Sequence, residues 1–284
     1  MVTIEKAKGE DFERIYPLLL GFNSARLSKN DWQQVFINHW NVPEDYYGYI
    51  LIKDGEVKGF LGAIFSTRVF NGQVERFCNM SSWIVDEGCR GQSLLLLLEL
   101  LKLKDYTITN FTASRSVSVI LQKIGFTPIE TQPQLLLPVP SFSLNKGAYL
   151  CEFDREAIGE KLCETDFKIF EDHLAFNCTH ILISSGRDYC YLIVRRIKRR
   201  RLAFAKVHYL SNVELFIKAQ DSLRVKICLK LKVAGLLVAE RYLKGHQLKY
   251  GRKFPTEYGA FYKSTKIRPD QIDTLYSEMI LLHE

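Results

Sequence analysis

No stretch of this sequence is long and apolar enough to suggest a membrane span. The longest near-apolar run, Leu94 to Leu103, is broken by Glu99 and Lys102, whereas a spanning helix needs about 20 apolar residues. The opening Met1-Val2-Thr3-Ile4-Glu5-Lys6 lacks the basic-then-apolar order of a secretory leader, so a cytoplasmic protein is expected. Cysteine pairs are missing too. The 7 cysteines are odd in number and scattered, and none stands in a Cys-x-x-Cys pair. That argues against a disulfide framework. Cys163, His173, Cys178 and His180 come nearest to a metal set, but their spacing fits no common zinc pattern. Reduced thiols and no metal are therefore expected. Helix-turn-helix, finger and RNP patterns are absent, so sequence-specific reading of nucleic acid has no motif to rest on.

What is present is enough for two domains. The chain has 284 residues, 47% hydrophobic and 25% charged, ordinary values for a globular protein with sizeable cores. The net charge of +7 is unevenly placed. From Arg187 to Lys253 there are 18 Lys/Arg against 4 Asp/Glu, so that stretch carries +14 and the remainder −7. Such a basic part suits an anionic partner: a phosphorylated cofactor, a sugar nucleotide, a nucleic acid or a membrane surface.

Local patterns set the element order. Val2 to Ala7 alternates as a strand does, and Asp11 to Leu20 carries a helical stripe of Phe12, Ile15, Leu18 and Leu19. Asp31 is the expected cap of a second helix running to Trp40. Three strand-like segments follow, Tyr47–Lys53, Val57–Phe70 and Val74–Val85, joined by Asp54-Gly55 and Asn71-Gly72. Such pairs favour type I′ turns, so an antiparallel meander is predicted. Leu94 to Leu101 is apolar all round and is expected to be a buried helix. A strand from Tyr106 to Ala113, a helix from Ser116 to Lys123 and a C-cap at Gly125 come next. Thr127 to Lys146 holds four prolines, with one strand expected at Leu135–Leu137, and a domain boundary is placed near residue 145. Beyond it, strands at His180–Ser184, Tyr189–Ile197 and Leu202–Leu210, a helix from Val213 to Cys228 and a strand at Ala234–Tyr242 repeat the earlier order. Pro269 to Leu282 reads as a final helix.

The loop after the third meander strand, Gly88-Cys89-Arg90-Gly91-Gln92-Ser93, leads straight into the leucine helix. Free N–H groups at a helix start and an adjacent arginine make an anion site that suits a diphosphate. A plain connector with a solvated arginine would read the same way. With its surroundings, the segment resembles the GNAT acetyltransferase superfamily over roughly Val2 to Leu137. Arg90-Gly91-Gln92-Ser93-Leu94-Leu95 matches the family's Gln/Arg-x-x-Gly-x-Gly/Ala loop, with Ser93 and Leu95 at the glycine positions. Ser114, Val117, Leu121, Gly125 and Phe126 match its Asn-x-x-Ala-x-x-x-Tyr-x-x-x-Gly-Phe segment. Gly-Phe is intact, and Leu121 replaces the tyrosine that often protonates the leaving thiolate.

The resemblance implies an α/β (α+β) fold with a mixed, mainly antiparallel central sheet flanked by helices. Residues 1–145 would form an acyl-CoA-binding domain and residues 146–284 a second, diverged copy. It implies acetyl-CoA or another acyl-CoA as cosubstrate and an amine acceptor such as an amino sugar or other small metabolite. The backbone of Ser82, Trp83, Ile84 and Val85 would pair with the pantetheine arm. The N–H groups of Cys89, Arg90, Gly91, Gln92, Ser93 and Leu94 would hold the diphosphate. Acylation also needs a proton acceptor. Glu75 on the third meander strand, Asp86, or a water relayed by Ser81 and Ser82 are the candidates there. His39 could line the acceptor pocket, and Tyr46, Tyr47 and Tyr49 could stack on an acceptor sugar. Two other readings stay open: a degenerate module that binds CoA or a partner without turnover, and an anion or nucleic-acid binder using Arg195 to Arg201.

Overall fold

The structure is a computed structural model. It describes all residues except 23, 25, 26, 71, 130, 131, 140–148, 200, 247, 249, 257, 283 and 284. The chain divides into two compact units. The first comprises Met1–Pro128, Ala260–Ile267 and Tyr276–Glu284; the second comprises Ile129–Gly259 and Arg268–Leu275. The expected boundary near residue 145 lies outside the described residues.

In chain order the elements are β1 (Val2–Lys6), α1 (Phe12–Leu19), α2 (Lys29–Gln33), β2 (Gly48–Lys53), β3 (Glu56–Phe70), β4 (Gln73–Val85), α3 (Ser93–Leu100), β5 (Tyr106–Ala113), α4 (Arg115–Lys123) and β6 (Thr127–Ile129). There follow β7 (Pro133–Leu136), β8 (Leu150–Glu152), α5 (Arg155–Gly159), α6 (Glu164–His173), β9 (Thr179–Ser185), β10 (Asp188–Arg199), β11 (Leu202–Leu210), α7 (Val213–Leu231) and β12 (Leu236–Ala239). The last are β13 (Gly251–Lys253), β14 (Gly259–Lys263) and α8 (Glu278–Leu281). Two seven-stranded sheets result, ordered β1-β2-β3-β4-β5-β14-β6 and β13-β7-β12-β11-β10-β9-β8. Both are mostly antiparallel and flanked by helices, as the resemblance implied.

In the first sheet the meander is as expected. Asp54 and Gly55 take φ of +53° and +83°, the double left-handed geometry of a type I′ turn. Gly72 has φ +76°, while Asn71 lies outside the described residues. The meander's third strand, β4, then pairs parallel with β5 from Arg76↔Tyr106 to Asn79↔Thr109. Helix α3 covers one face, where Leu96, Leu97 and Leu100 pack among Leu51, Leu61, Phe65 and Met80. Each such leucine contributes about 1.5–3 kcal/mol by leaving water.

Three expectations need correction. Helix α2 is capped by Ser28, whose hydroxyl accepts from Asp31 N at 3.2 Å, while the Asp31 carboxylate accepts from Ser28 N at 2.8 Å. Asp31 is thus the far member of a capping box, and the helix gives way at Gln34–Phe36 to a tighter turn. Helix α3 is not buried all round: Leu94, Leu95 and Leu98 are exposed. Pro269 to Leu282 is no continuous helix, since only a short turn at Pro269–Gln271 and α8 are helical. The apolar spacing there reflects burial of an irregular run, Ile272, Leu275 and Tyr276, rather than one helical face.

The second sheet repeats the layout. Strands β9, β10 and β11 form an antiparallel meander. Helix α7 returns across it, and β12 pairs parallel with β11 through Ala205↔Leu236 and Lys206↔Leu237. Asn212 caps α7 by accepting from Leu215 N at 3.1 Å.

Candidate functional site

The first unit has a gap in its sheet. Pairing between β4 and β5 stops at Asn79↔Thr109, yet β4 runs on to Val85. Just past the last pair, β4 bulges. Gly62 opposes Ser81 and Phe60 opposes Ile84, so two residues, Ser82 and Trp83, face one on β3. Ser82 adopts φ +50°, a left-handed backbone that costs a non-glycine residue roughly 1–2 kcal/mol. A bulge bends its strand and raises the local twist, which carries β4 away from β5. Ser82, Trp83, Ile84 and Val85 are all part-exposed, with no ladder partner on the β5 side among the described residues. This is a short open strand edge, able to pair with an extended ligand.

That edge leads into the loop. Glu87–Gln92 forms a tight helical turn and α3 starts at Ser93. A methyl group added at Gly88 or Gly91 would meet nothing within 4 Å, so the backbone is approachable from outside. Cys89 is buried and pins the loop to the core. Arg90 is exposed and pairs with Glu87 at 3.1 Å. Gln92 Oε1 is a buried acceptor with no donor among the described residues, at the entry to α3. The residues expected to form the diphosphate cradle are therefore contiguous at one helix N-terminus, continuous with the open edge of β4. Leu121 is fully buried in the core, so no tyrosine-like hydroxyl stands at its position.

Ser81 and Ser82 are at the bulge, but the two carboxylate candidates fall elsewhere. Glu75 is seven residues from Ser82, roughly 23 Å along the strand. It is buried and pairs with Lys266 at 3.4 Å rather than with its neighbour Arg76. Asp86 sits at the loop start, 3.7 Å from Lys58. Ser81 Oγ lies 3.1 Å from Ser82 Oγ. Neither Glu75 nor Asp86 is brought to the gap.

A carboxylate that sequence reasoning missed stands there instead. Glu278 on α8 is buried. It accepts from Asn79 Nδ2 and, at 2.8 Å, from Thr112 Oγ1. Thr109 Oγ1 donates to Asn79 Oδ1 at 3.1 Å, and Asn110 Nδ2 donates to Met80 O at 2.9 Å. The only sequence signal was one acid inside the apolar run Leu275 to Leu282.

Close to Glu278, one helical turn on at Leu281, is a small cleft open to solvent. Val35, His39, Trp40, Tyr46, Tyr47 and Leu281 are among its walls. His39, Tyr46 and Tyr47 are thus brought together in one cleft, and Tyr49 is not among the lining residues. His39 is held below its ordinary pKa by burial, against a 2.9 Å contact to Gln34 O. Tyr106, which bonds to Glu44 on the cleft wall, is pushed up to about 12 by burial and that carboxylate.

In the second unit the dense cationic run divides. Arg195 is buried, while Arg196, Lys198, Arg199 and Arg201 are exposed around the β10–β11 turn; Arg200 lies outside the described residues. Among the described residues, no three His, Cys, Asp or Glu side chains gather as a metal set, and no helix is long and apolar enough to cross a membrane.

No protein-family model matches the chain, and no curated protein matches it by sequence. Solved structures match in shape. A GCN5-related N-acetyltransferase from Anabaena variabilis has a TM-score of 0.60 at 11% identity, covering 92% of this chain and 72% of that one. Another from Kribbella flavida gives 0.60 at 12%, covering 92% and 70%. A GCN5-related glucosamine N-acetyltransferase region of a fungal multi-domain beta-N-acetylglucosaminidase gives 0.61 at 10%, covering 93% of this chain and 38% of that one. At these identities the match is one of fold: the chain has the fold of the GNAT acetyltransferases.

Proposed function

We propose that this chain is an N-acyltransferase that moves an acetyl or other acyl group from acyl-CoA to an amine. The observation that carries the reading is the continuity of the open edge of β4, bulged at Ser82, with the Glu87–Gln92 turn and the N-terminus of α3. An extended amide-bearing arm suits the N–H and C=O groups of Ser82 to Val85. The diphosphate suits the first-turn amides from Cys89 to Leu94, with Arg90 as a cation beside them. The thioester would then lie where β4 and β5 part. Thiolate departure can proceed without an acid at Leu121, because a thiol's ordinary pKa is about 8.5.

A second reading is a module that binds CoA without turnover. The buried leucine at position 121 favours it. Anion binding by the exposed cations of the second unit is a further, separate role. With seven free cysteines, a reducing compartment such as the cytoplasm is proposed as its location.

Calorimetric titration with acetyl-CoA tests the reading, with Arg90→Ala beside the wild type. Micromolar binding, weakened several-fold in the variant, supports it. No binding of acetyl-CoA or CoA removes it. Acyl transfer to an amine panel then separates the enzyme from the binding module.

A further inference from the structure

The gap between β4 and β5 is approached from two faces. The α3 face carries Cys78, Met80 and Ile108 in its core. Asn79 points to the opposite face, with its register partners Ile64 on β3 and Thr109 on β5. Strand β5 turns about its axis just beyond: Ile108 and Ala113, five residues apart, both join the α3-side core, which breaks a period of two. Thr112 is thereby brought to the Asn79 side. Glu278 binds Asn79 on one strand and Thr112 on the other, so its carboxylate lies across the mouth of the gap. The cleft reaches the same place, because Ile64 and Leu281, one turn of α8 beyond Glu278, both line it.

We propose that Glu278 holds the acceptor amine and takes its proton, and that the acceptor is a primary amine on an apolar or aromatic body. This rests on the acyltransferase reading above. The cosubstrate enters from the α3 face and the amine from the other. A buried carboxylate attracts an ammonium group. The cleft's Val35, Ile37, Trp40, Tyr47 and Leu281 offer apolar surface and ring faces, and its polar Asn38, His39 and Glu44 are already engaged by Val42, Gln34 O and Tyr106, which suits an apolar body better than a polyhydroxylated sugar. The bound ammonium first gives one proton through Glu278 to bulk water, which frees the lone pair, and the amine nitrogen then attacks the thioester carbon. The C–N bond forms and the C–S bond breaks. One N–H proton passes to the Glu278 carboxylate and then, through water, to the departing thiolate. The products are the amide and the free CoA thiol, and Glu278 ends as it began. Glu75 cannot share this work from its place beside Lys266.

The test measures acetylated product by mass spectrometry, with phenethylamine and glucosamine as acceptors, for wild type, Glu278→Gln and Thr112→Val. Acetyl-CoA affinity is measured in parallel and reports on both the fold and the cosubstrate site. The expected result is turnover of phenethylamine well above glucosamine. In Glu278→Gln, kcat/KM falls about 10²- to 10³-fold with acetyl-CoA affinity unchanged, and the acidic limb of its pH profile disappears. Thr112→Val keeps the carboxylate, so it serves should the glutamine variant fold poorly; it shifts that limb with a smaller loss. Wild type that binds acetyl-CoA but prefers glucosamine, or acetylates neither amine, overturns the inference. So does a Glu278→Gln variant with an unchanged pH profile. Failure to bind acetyl-CoA at all removes the acyltransferase reading instead.

Discussion

The two units share a plan and differ at one point. Each has a three-strand meander, a returning helix and a parallel fourth strand, and each bulges in its third strand just past the last parallel pair. In the first unit the bulge falls at Ser82 and Trp83, and β4 beyond it stays part-exposed. In the second it falls at His208, since Ile193 pairs with Tyr209 and Val194 with Val207. There the opening is filled. Tyr242 donates to His208 O at 2.8 Å, and Thr274 Oγ1 lies 2.7 Å from His208 Nδ1. The connections differ as well. The first unit reaches α3 through a glycine-containing turn, whereas β11 reaches α7 through Ser211 and Asn212, and Asn212 caps the helix with its own side chain. One topology thus gives an open edge beside an approachable helix N-terminus in one unit and packed core in the other. The fold alone does not make the site; the loop and whatever fills the gap decide it.

The largest effect expected from breaking this contrast is in the helices. Leu96→Ala on the buried face of α3 and Phe216→Ala on α7, both fully buried, should each cost about 2–5 kcal/mol by cavity formation. Leu98→Ala on the exposed face of α3 should cost no more than about 0.5 kcal/mol. Denaturant titration checks all three. Loss of acetyl-CoA affinity in Leu98→Ala with stability intact would mean that the exposed leucines are part of the cosubstrate site.

Acid should separate the units next. In the second, burial pushes His180 down to about 4, holds His208 well below its ordinary value and lowers His173. Nearby cations add to this: Arg155 at His180, and Lys206, Arg195 and Arg241 at His208. These histidines are neutral when folded, and the unfolded chain binds their protons first. Stability is therefore full above about pH 6.5 and falls as pH drops toward 4, by roughly 1–3 kcal/mol. All three tryptophans, Trp32, Trp40 and Trp83, are in the first unit. Protection factors of residues 204–216, taken against the intrinsic exchange rate at each pH, should fall below pH 6 before tryptophan fluorescence changes; the opposite order would contradict the contrast.

The bulge gives a smaller effect. Ser82→Gly relieves a left-handed serine and should stabilise by up to about 1 kcal/mol, whereas Ser82→Val should destabilise by at least as much and weaken acetyl-CoA binding. The smallest effect is at the loop. Glu87→Ala breaks an exposed pair with Arg90, so stability should move by less than about 0.5 kcal/mol. Acetyl-CoA affinity should rise about two-fold as Arg90 is released.

Much of this was legible in the chain because it is local. Asp54-Gly55 announced its turn, Gly125 with φ +83° its helix stop, and the glycine loop its helix start. The bulge carried no marker, since Ser82 is neither glycine nor proline and its φ depends on where β5 stops pairing. The strand β14 was missed, and helix α8 was read only as the end of one long helix from Pro269, for another reason. They join the first sheet across more than a hundred residues, and nothing in a short window encodes that. Glu278 could be seen only as one acid in an apolar stretch. Its partners Asn79 and Thr112 are 199 and 166 residues away, so its place at the gap is a product of tertiary packing.

The central claim is that one of two like units is the acyl-CoA site. Hydrogen–deuterium exchange with and without saturating acetyl-CoA tests it most directly. The account predicts protection of peptides covering Ser82 to Leu97, with the matching peptides from Lys206 to Phe216 unchanged. Protection at Lys206 to Phe216, or none at Ser82 to Leu97, would contradict it.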